Sequence, residues 1–127
     1  MKENDGELVI RTLAMPADTN VNGDIFGGWI LSQMDIGGSI LAHKITKGKT
    51  VTVAIDSMKF ISPVAVGDTI CIYAKIVNIG NTSLKLHLKT YVTRKYTEKR
   101  DLVTQADFSY VNIGDNGKPK PINKDKL

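Results

Sequence analysis

Apolar and polar residues alternate with a period of two along most of the second half of the chain, which is the pattern of β-strands with one buried face. The links between these segments are short and carry glycine, proline and asparagine, which favours antiparallel neighbours. A shorter apolar segment at 7–13 predicts a first strand. The predicted inward residues are Val51, Val53 and Ile55; Ile70, Ile72, Ala74 and Ile76; Leu84, Leu86 and Leu88; and Leu102, Thr104, Ala106, Phe108 and Tyr110.

A helical pattern precedes these strands, from about residue 27 to residue 44. Its apolar residues recur at helical spacing, at Ile30, Met34, Leu41 and Ile45. Since this helix is the only element able to cover the apolar face of the strands, the pattern predicts an α+β fold. We expect an antiparallel sheet of about five strands wrapped around one long central helix, in a single domain spanning 1–127.

Composition limits the class of protein. The 127 residues are 42% hydrophobic and 24% charged, as in an ordinary soluble domain. No apolar run approaches the roughly 18 residues of a membrane span, and the polar N-terminus does not resemble a secretory signal, so we expect a cytoplasmic protein. Cys71 is the only cysteine, which rules out an internal disulfide and a cysteine-based zinc cluster.

The net charge of +4 comes from lysines and arginines concentrated in the second half. Such a distribution suits a polyanion, but the aromatic content is only 6%, and the stacking motifs of RNA-binding sheets are absent. A phosphorylated small molecule fits the charge equally well, and no nucleic acid partner is expected. The alternative is that these residues are solvated strand faces, where lysine guards against edge pairing.

Asp35 interrupts the apolar helix and is the strongest candidate for a functional residue. Burying an unpaired carboxylate is costly, so such a group is paired, hydrogen-bonded or neutralised. Its neighbours on the same helical face are small, and the glycines among them indicate that a backbone or a ligand approaches closely. The alternative is an aspartate that caps a loop or lies at a solvated helix edge.

Four segments in order resemble one known family. Residues 13–35 read LAMPADTNVNGDIFGGWILSQMD, and residues 51–60 read VTVAIDSMKF, followed by Pro63 and the turn at 66–68. The similarity continues through 83–89 and 108–121. These segments resemble hot-dog acyl-CoA thioesterases, in particular the bacterial YciA-like branch. The resemblance implies a hot-dog fold and hydrolysis of acyl-CoA to free CoA and a carboxylic acid. The CoA thioester is then the substrate, and no cofactor or metal is expected.

The resemblance also implies a catalytic site around the helix. Asp35 matches the family carboxylate that acts either as general base for a water or as direct nucleophile. The backbone amides of Phe26, Gly27 and Gly28 match those that bind the carbonyl oxygen. The first turn of a helix has unpaired N–H groups and partial positive charge, which suits a developing oxyanion. A thiolate leaves readily, since a thiol pKa is about 8.5, so a Ser-His-Asp triad is not required.

Three further polar residues are candidates for catalytic roles. Asp24 occupies the position of a family residue, often asparagine, that assists the carboxylate across a subunit interface. Its alternative is a turn residue after Asn22 and Gly23, and Asn20 is a second candidate for the same role. Thr52 is a candidate to hold the attacking water, although a threonine on a polar strand face needs no function.

The resemblance places contacts to CoA on the strands that follow. An exposed lysine is more often solvated surface than a phosphate ligand, so these residues are weaker candidates than Asp35. The predicted CoA-binding residues are Ser57, Lys59, Ser83, Lys85 and Arg94.

The family forms dimers with shared active sites, whose sheets join edge to edge, and the dimers assemble as hexamers, as trimers of dimers. We expect the same of this chain. Two other functions stay open as alternatives. One is an acyl-CoA sensor that binds without turnover. The other is a hydroxyacyl thioester dehydratase, which needs a histidine near the helix start, where this chain has Phe26.

Overall fold

The structure is a computed structural model that describes residues 5–126. One long helix packs on one face of a five-stranded antiparallel sheet with strand order β1-β3-β4-β5-β2. The predicted α+β class with a single central helix is therefore confirmed. The elements are β1 (Glu7–Leu13), α1 (Gly27–Thr46), β2 (Lys49–Asp56), β3 (Thr69–Ile79), β4 (Ser83–Thr93) and β5 (Arg100–Ile113), with 3-10 turns at Pro16–Asp18 and Lys124–Lys126.

Helix α1 buries the predicted apolar stripe. Ile30, Met34, Leu41 and Ile45 all lie in the core. The helix runs two residues beyond the predicted end, to Thr46, and stops because Lys47 adopts a left-handed conformation with φ of 56°. Its N–H then donates to the carbonyl of His43 at 2.8 Å, which closes the last turn.

The central strands follow the predicted alternation most closely. Leu84, Leu86 and Leu88 of β4 are buried against the helix, as are Ile70 and Ile72 of β3. Each central strand is paired on both sides, so its inward residues are covered by the helix and its backbone is saturated. These strands form the rigid platform on which the helix is positioned.

Irregularities in two strands, β2 and β5, correct the predicted inward residues. The register of β2 against β5 shifts between Thr52 and Ala54, so Thr52 faces the helix and Val53 is the additional residue. A similar shift in β5 buries Val103 in place of the predicted Leu102. Ile76, also predicted to face inward, pairs with the buried Leu86 before the irregularity in β3 and is nevertheless 48% exposed. Because an extra residue reverses the facing of a strand, alternation counted through a bulge fails.

The prediction of a buried face on β2 is wrong for a single chain. Val51 and Val53 are 41% and 56% exposed, and β2 is the last strand of the sheet, so its outer edge has no strand beside it. Ile36 and Ile40, which lie one turn apart on the helix, are also half exposed. The chain therefore presents a free strand edge together with apolar side chains.

Candidate active site

Asp35 lies in the middle of α1 and is partly buried. Its Oδ1 accepts a hydrogen bond of 2.6 Å from Oγ1 of Thr52 and one of 3.2 Å from the hydroxyl of Tyr110. These donors come from β2 and β5, where Thr52 and Tyr110 are direct partners across the sheet. The carboxylate is thus held by two hydroxyl groups while part of it stays accessible.

Tyr110 is a site residue that the sequence did not indicate as functional. Its side chain is fully buried, and its ring stacks on Phe108 with centroids 6.5 Å apart. Burial, followed by the negative charge of Asp35, raises the pKa of Tyr110 well above its ordinary value of 10.0. The phenol therefore stays protonated and donates to Asp35. The sequence alone predicted only that Tyr110 faces inward on its strand.

The glycines that follow Asp35 make room for side chains of this chain rather than for a backbone, and close approach of a ligand stays a prediction. A Cβ atom at Gly38 would overlap the hydroxyl of Tyr110. A Cβ at Gly37 would lie 2.7 Å from Cγ2 of Val9. Gly38 is therefore the position that allows the tyrosine hydroxyl to reach the helix and the carboxylate.

The start of α1 carries the predicted oxyanion amides. Phe26 is the N-cap residue, and its own N–H donates to the carbonyl of Asp18 at 3.1 Å. Gly27 and Gly28 are the first two helical residues, whose N–H groups have no carbonyl four residues back within the helix. These two amides are consequently better placed than that of Phe26 to donate a hydrogen bond to a ligand oxygen.

The loop before the helix is organised by Asn20. Its Oδ1 accepts hydrogen bonds from the backbone N–H groups of Asn22 at 2.8 Å and Asp24 at 3.2 Å. Asn20 and Asp24 line one pocket together with Gly27. Within residues 5–126 neither side chain bonds to Asp35 of the same chain. One chain therefore brings Thr52 to the carboxylate but leaves the loop residues at the helix start.

The four predicted CoA contacts other than Arg94 lie on the surface. Ser57, Lys59 and Ser83 are exposed, and Ser57 has a left-handed backbone with φ of 49° just after β2. Lys85 lies 3.7 Å from the carboxylate of Asp56, an exposed pair of little strength. All four side chains are therefore accessible to a ligand.

Arg94 occupies a different environment. Its guanidinium bonds to Asp68 at 3.2 Å, to Asp101 at 3.0 Å and to the carbonyl of Pro63 at 2.6 Å. Burial alone would raise the pKa of Asp68, but amide bonds from Ala65 and Lys95 and the ion pair with Arg94 lower it overall. Arg94 therefore joins β4, β5 and the segment before β3, and CoA binding by this residue stays a prediction.

No group of three His, Cys, Asp or Glu side chains suited to a metal ion is found within residues 5–126. No helix in that part of the chain has the length and apolarity needed to cross a bilayer.

One long helix packed on a five-stranded antiparallel sheet is the hot-dog fold. It is the fold of a similar solved hexameric thioesterase from Campylobacter jejuni, which is 38% identical with a TM-score of 0.90 over 98% of this chain and 96% of the other. Residues 22–93 match the thioesterase superfamily, and the chain belongs to that family. It is similar to the acyl-CoA thioester hydrolase YciA of Salmonella typhimurium, with 53% identity over 120 residues, covering 92% of this chain and 90% of the relative.

Solved structures to which this chain is similar are also thioesterases. A hexameric thioesterase from Yersinia pestis is 52% identical, with a TM-score of 0.89, covering 93% of this chain and 96% of the other. A hexameric broad-specificity acyl-coenzyme A thioesterase, solved as an aspartate-to-alanine mutant, is 47% identical, with a TM-score of 0.90 and coverage of 94% and 88%.

An acyl-CoA hydrolase from Staphylococcus aureus, solved as two variants, is 26% identical, and both matches cover 89% of this chain. The asparagine variant has a TM-score of 0.82 with 68% of its chain covered, and the aspartate variant has a TM-score of 0.80 with 69% covered. The variants replace an asparagine and an aspartate by alanine, and the two positions are 15 residues apart.

Proposed function

We propose that this chain is an acyl-CoA thioester hydrolase in which Asp35 carries the catalytic carboxylate. The observation that supports this most strongly is the accessible carboxylate on α1, oriented by Thr52 and Tyr110. It occurs in a chain that is 53% identical to a named acyl-CoA thioester hydrolase over nine-tenths of both lengths.

Asp35 serves one of two chemical roles. As a general base it takes a proton from water while the water oxygen attacks the thioester carbonyl. As a nucleophile its oxygen attacks directly, and water then cleaves the resulting anhydride. In both routes the C–S bond breaks and CoA leaves as a thiolate, which needs little protonation because a thiol pKa is about 8.5. The bonds from Thr52 and Tyr110 fix the carboxylate for either route.

The carbonyl oxygen binds at the start of α1 of the second chain, because Gly27 of the same chain lies eight residues, or about 12 Å, along the helix from Asp35. The N–H groups of Gly27 and Gly28 lie at the positive end of the helix, and stabilising charge that develops in the transition state is a large catalytic term. The N–H of Phe26, the N-cap residue, already donates to the carbonyl of Asp18, so this amide is the weakest of the three oxyanion candidates. A Cβ at Gly27 would lie 3.1 Å from the ring of Phe60, and one at Gly28 would lie 2.9 Å from the ring of Phe26, so these rings pack where side chains at the two glycines would be.

Asn20 is the favoured polar partner of the carboxylate, contributed by a second chain. It lies 15 residues before Asp35, which equals the spacing of the asparagine and aspartate replaced in the Staphylococcus aureus hydrolase. Its Oδ1 is occupied by loop amides, which leaves its NH2 group to face the substrate or the attacking water. Asp24 shapes the same pocket and is the second candidate.

The assembly that shares the site is a dimer, and three dimers form a hexamer. The free edge of β2 and the half-exposed Ile36 and Ile40 are the surfaces that such a dimer would bury. Two of the similar solved thioesterases are hexameric. Pairing of β2 with its counterpart joins two sheets and places Thr52, next to Asp35, at the contact.

CoA binds along the strands outside the catalytic pocket. Ser57, Lys59, Ser83 and Lys85 are accessible, and the two lysines are suited to phosphate. Their contacts are proposals, as is Arg94, whose guanidinium would need to keep its carboxylate partners while reaching a phosphate. A cytoplasmic location stays a prediction.

The test is release of free thiol from a panel of acyl-CoA thioesters by wild type and by Asp35→Asn. Asp115→Asn, on an exposed loop, is the matched control. We expect the Asp35 variant to lose about a hundredfold or more in kcat while the control keeps wild-type activity. Both variants are compared at the oligomeric state of wild type, measured by light scattering.

Other outcomes of the thiol-release experiment would contradict specific parts of the proposal. Wild type that binds acyl-CoA but releases no thiol would favour the sensor function over hydrolysis. A fully active Asp35→Asn would exclude this carboxylate from catalysis. An active wild type with an inactive Asp115→Asn at the wild-type oligomeric state would show that the loss of activity is not specific to Asp35.

A further inference from the structure

A mainly apolar pocket lies beside the first turn of α1. It has a volume of about 290 Å³ and is bounded by the loop before the helix, the helix start and the irregular segment 57–64. Its buried apolar walls are Ile25, Ile30, Val64 and Val103, and Phe60, which is 50% exposed, lies at its rim. Asn20 and Asp24 provide the polar end.

Backbone hydrogen bonds connect the segments that surround the pocket. The N–H of Ile25 donates to the carbonyl of Val64 at 2.9 Å, and the N–H of Ile61 donates to the carbonyl of Val103 at 2.7 Å. These amides are therefore not available to a ligand. The walls offer hydrocarbon surface, which suits an alkyl chain better than the pantetheine arm, whose two amide groups need hydrogen-bond partners when they are buried.

The pocket begins where the thioester carbonyl is proposed to bind. Gly27 lines the pocket and also carries one of the two oxyanion amides. The ring of Phe60 lies directly over this residue, since a Cβ at Gly27 would be 3.1 Å from the ring. The carbonyl carbon is the first atom of the acyl chain, so the next methylenes must lie within a few bonds of Gly27 and Phe60.

We propose that this pocket receives the acyl chain and that Phe60 limits the chain length. The inference rests on the proposed function. A group the size of a water molecule occupies about 30 Å³. The pocket volume of about 290 Å³ therefore holds at most about ten such groups. Short and medium aliphatic acyl groups are therefore the preferred substrate class. Each buried methylene raises kcat/KM about fourfold until the pocket is full.

The experiment measures kcat/KM for acyl-CoA thioesters from acetyl to palmitoyl, below their micellar concentrations. The variants are Phe60→Ala, which opens the rim, and Phe60→Trp, which narrows it. Ile61→Ala is the matched control, because Ile61 is a neighbouring apolar side chain that is 63% exposed and lies outside the pocket. The readout is the ratio of kcat/KM for dodecanoyl-CoA to that for butyryl-CoA.

We expect the ratio to rise about tenfold in Phe60→Ala, to fall in Phe60→Trp and to stay at the wild-type value in Ile61→Ala. Equal ratios in all four proteins, with turnover retained, would overturn the acyl pocket and leave the proposed function intact. Wild type without turnover of any thioester would instead overturn the proposed function. A ratio that changes equally in Ile61→Ala would show a general effect of segment 57–64 and would also overturn the role of Phe60.

Discussion

The hydroxyl of Thr52 donates a 2.6 Å hydrogen bond to the carboxylate of Asp35, which joins the edge strand β2 to the central helix. The bulge after Thr52 makes this contact possible, because it lets Thr52 face the helix while the strand continues along the sheet edge. The strand proposed to form the subunit contact thus also orients the proposed catalytic group. In the proposed function, assembly and catalysis are therefore coupled through one short hydrogen bond.

Removal of this bond should lower turnover more than substrate binding. In Thr52→Ala the carboxylate loses its shortest bond, and we expect kcat to fall about ten- to hundredfold with little change in KM. Thr52→Ser keeps the hydroxyl and should restore most of the rate. Steady-state kinetics on one acyl-CoA test this split, and equal losses in the alanine and serine variants would rule out a positioning role for the hydroxyl.

Gly38 and Tyr110 should be coupled in a double-mutant cycle. Alanine at position 38 gains about 1 kcal/mol of helix propensity, but its methyl group overlaps the Tyr110 hydroxyl, at a cost of about 1–3 kcal/mol for overpacking. We expect Gly38→Ala to be less destabilising in a Tyr110→Phe background, as measured by urea unfolding. Gly37→Ala, whose contact is Val9, should have the same effect in both backgrounds, and additive energies for the Gly38 pair would contradict the contact.

Asp68 should contribute stability that depends on pH. Its pKa is lowered in the folded chain from an ordinary value of 3.8, so its contribution is present above that value and is lost as pH falls through the lowered pKa. Asp68→Asn should therefore unfold more easily at pH 7, by about 1–3 kcal/mol, and show a shallower loss of stability below pH 4.

The measurement for Asp68 is urea unfolding at a fixed protein concentration across this pH range. Asp101→Asn, which removes the other carboxylate partner of Arg94 at a more exposed position, should have a smaller effect. Parallel stability curves for wild type and Asp68→Asn would contradict the prediction.

A charge on the exposed helix stripe should break the assembly. In Ile40→Glu a carboxylate replaces an apolar side chain that the proposed dimer would bury, so we expect smaller species in light scattering. Activity should fall with the assembly, because the proposed site includes Asn20 from a second chain. Ile61→Glu places the same charge on another exposed isoleucine and should leave the assembly unchanged; a hexamer that persists in Ile40→Glu would place the interface elsewhere.

The sequence by itself determined the kind of each element and indicated the residue at the centre of the candidate site. The helical spacing of apolar residues identified α1, the alternation at 84–88 identified a core strand, and Asp35 was conspicuous because a carboxylate in an apolar stripe needs a partner. These are local properties, since propensity and periodicity report which face of one element is apolar. The similarity of residues 13–35 to a known family then supplied the class of chemistry.

The tertiary structure decided which residues surround Asp35. Thr52 and Tyr110 meet there because β2 pairs with β5, and strand pairing depends on how the whole sheet closes over the helix rather than on the sequence of either strand. The bulges at Val53 and Val103 likewise change which residues face inward, since one extra residue reverses the facing of a strand. Phe60 came to lie over Gly27 only through the path of segment 57–64, which has no periodic pattern from which its position could be predicted.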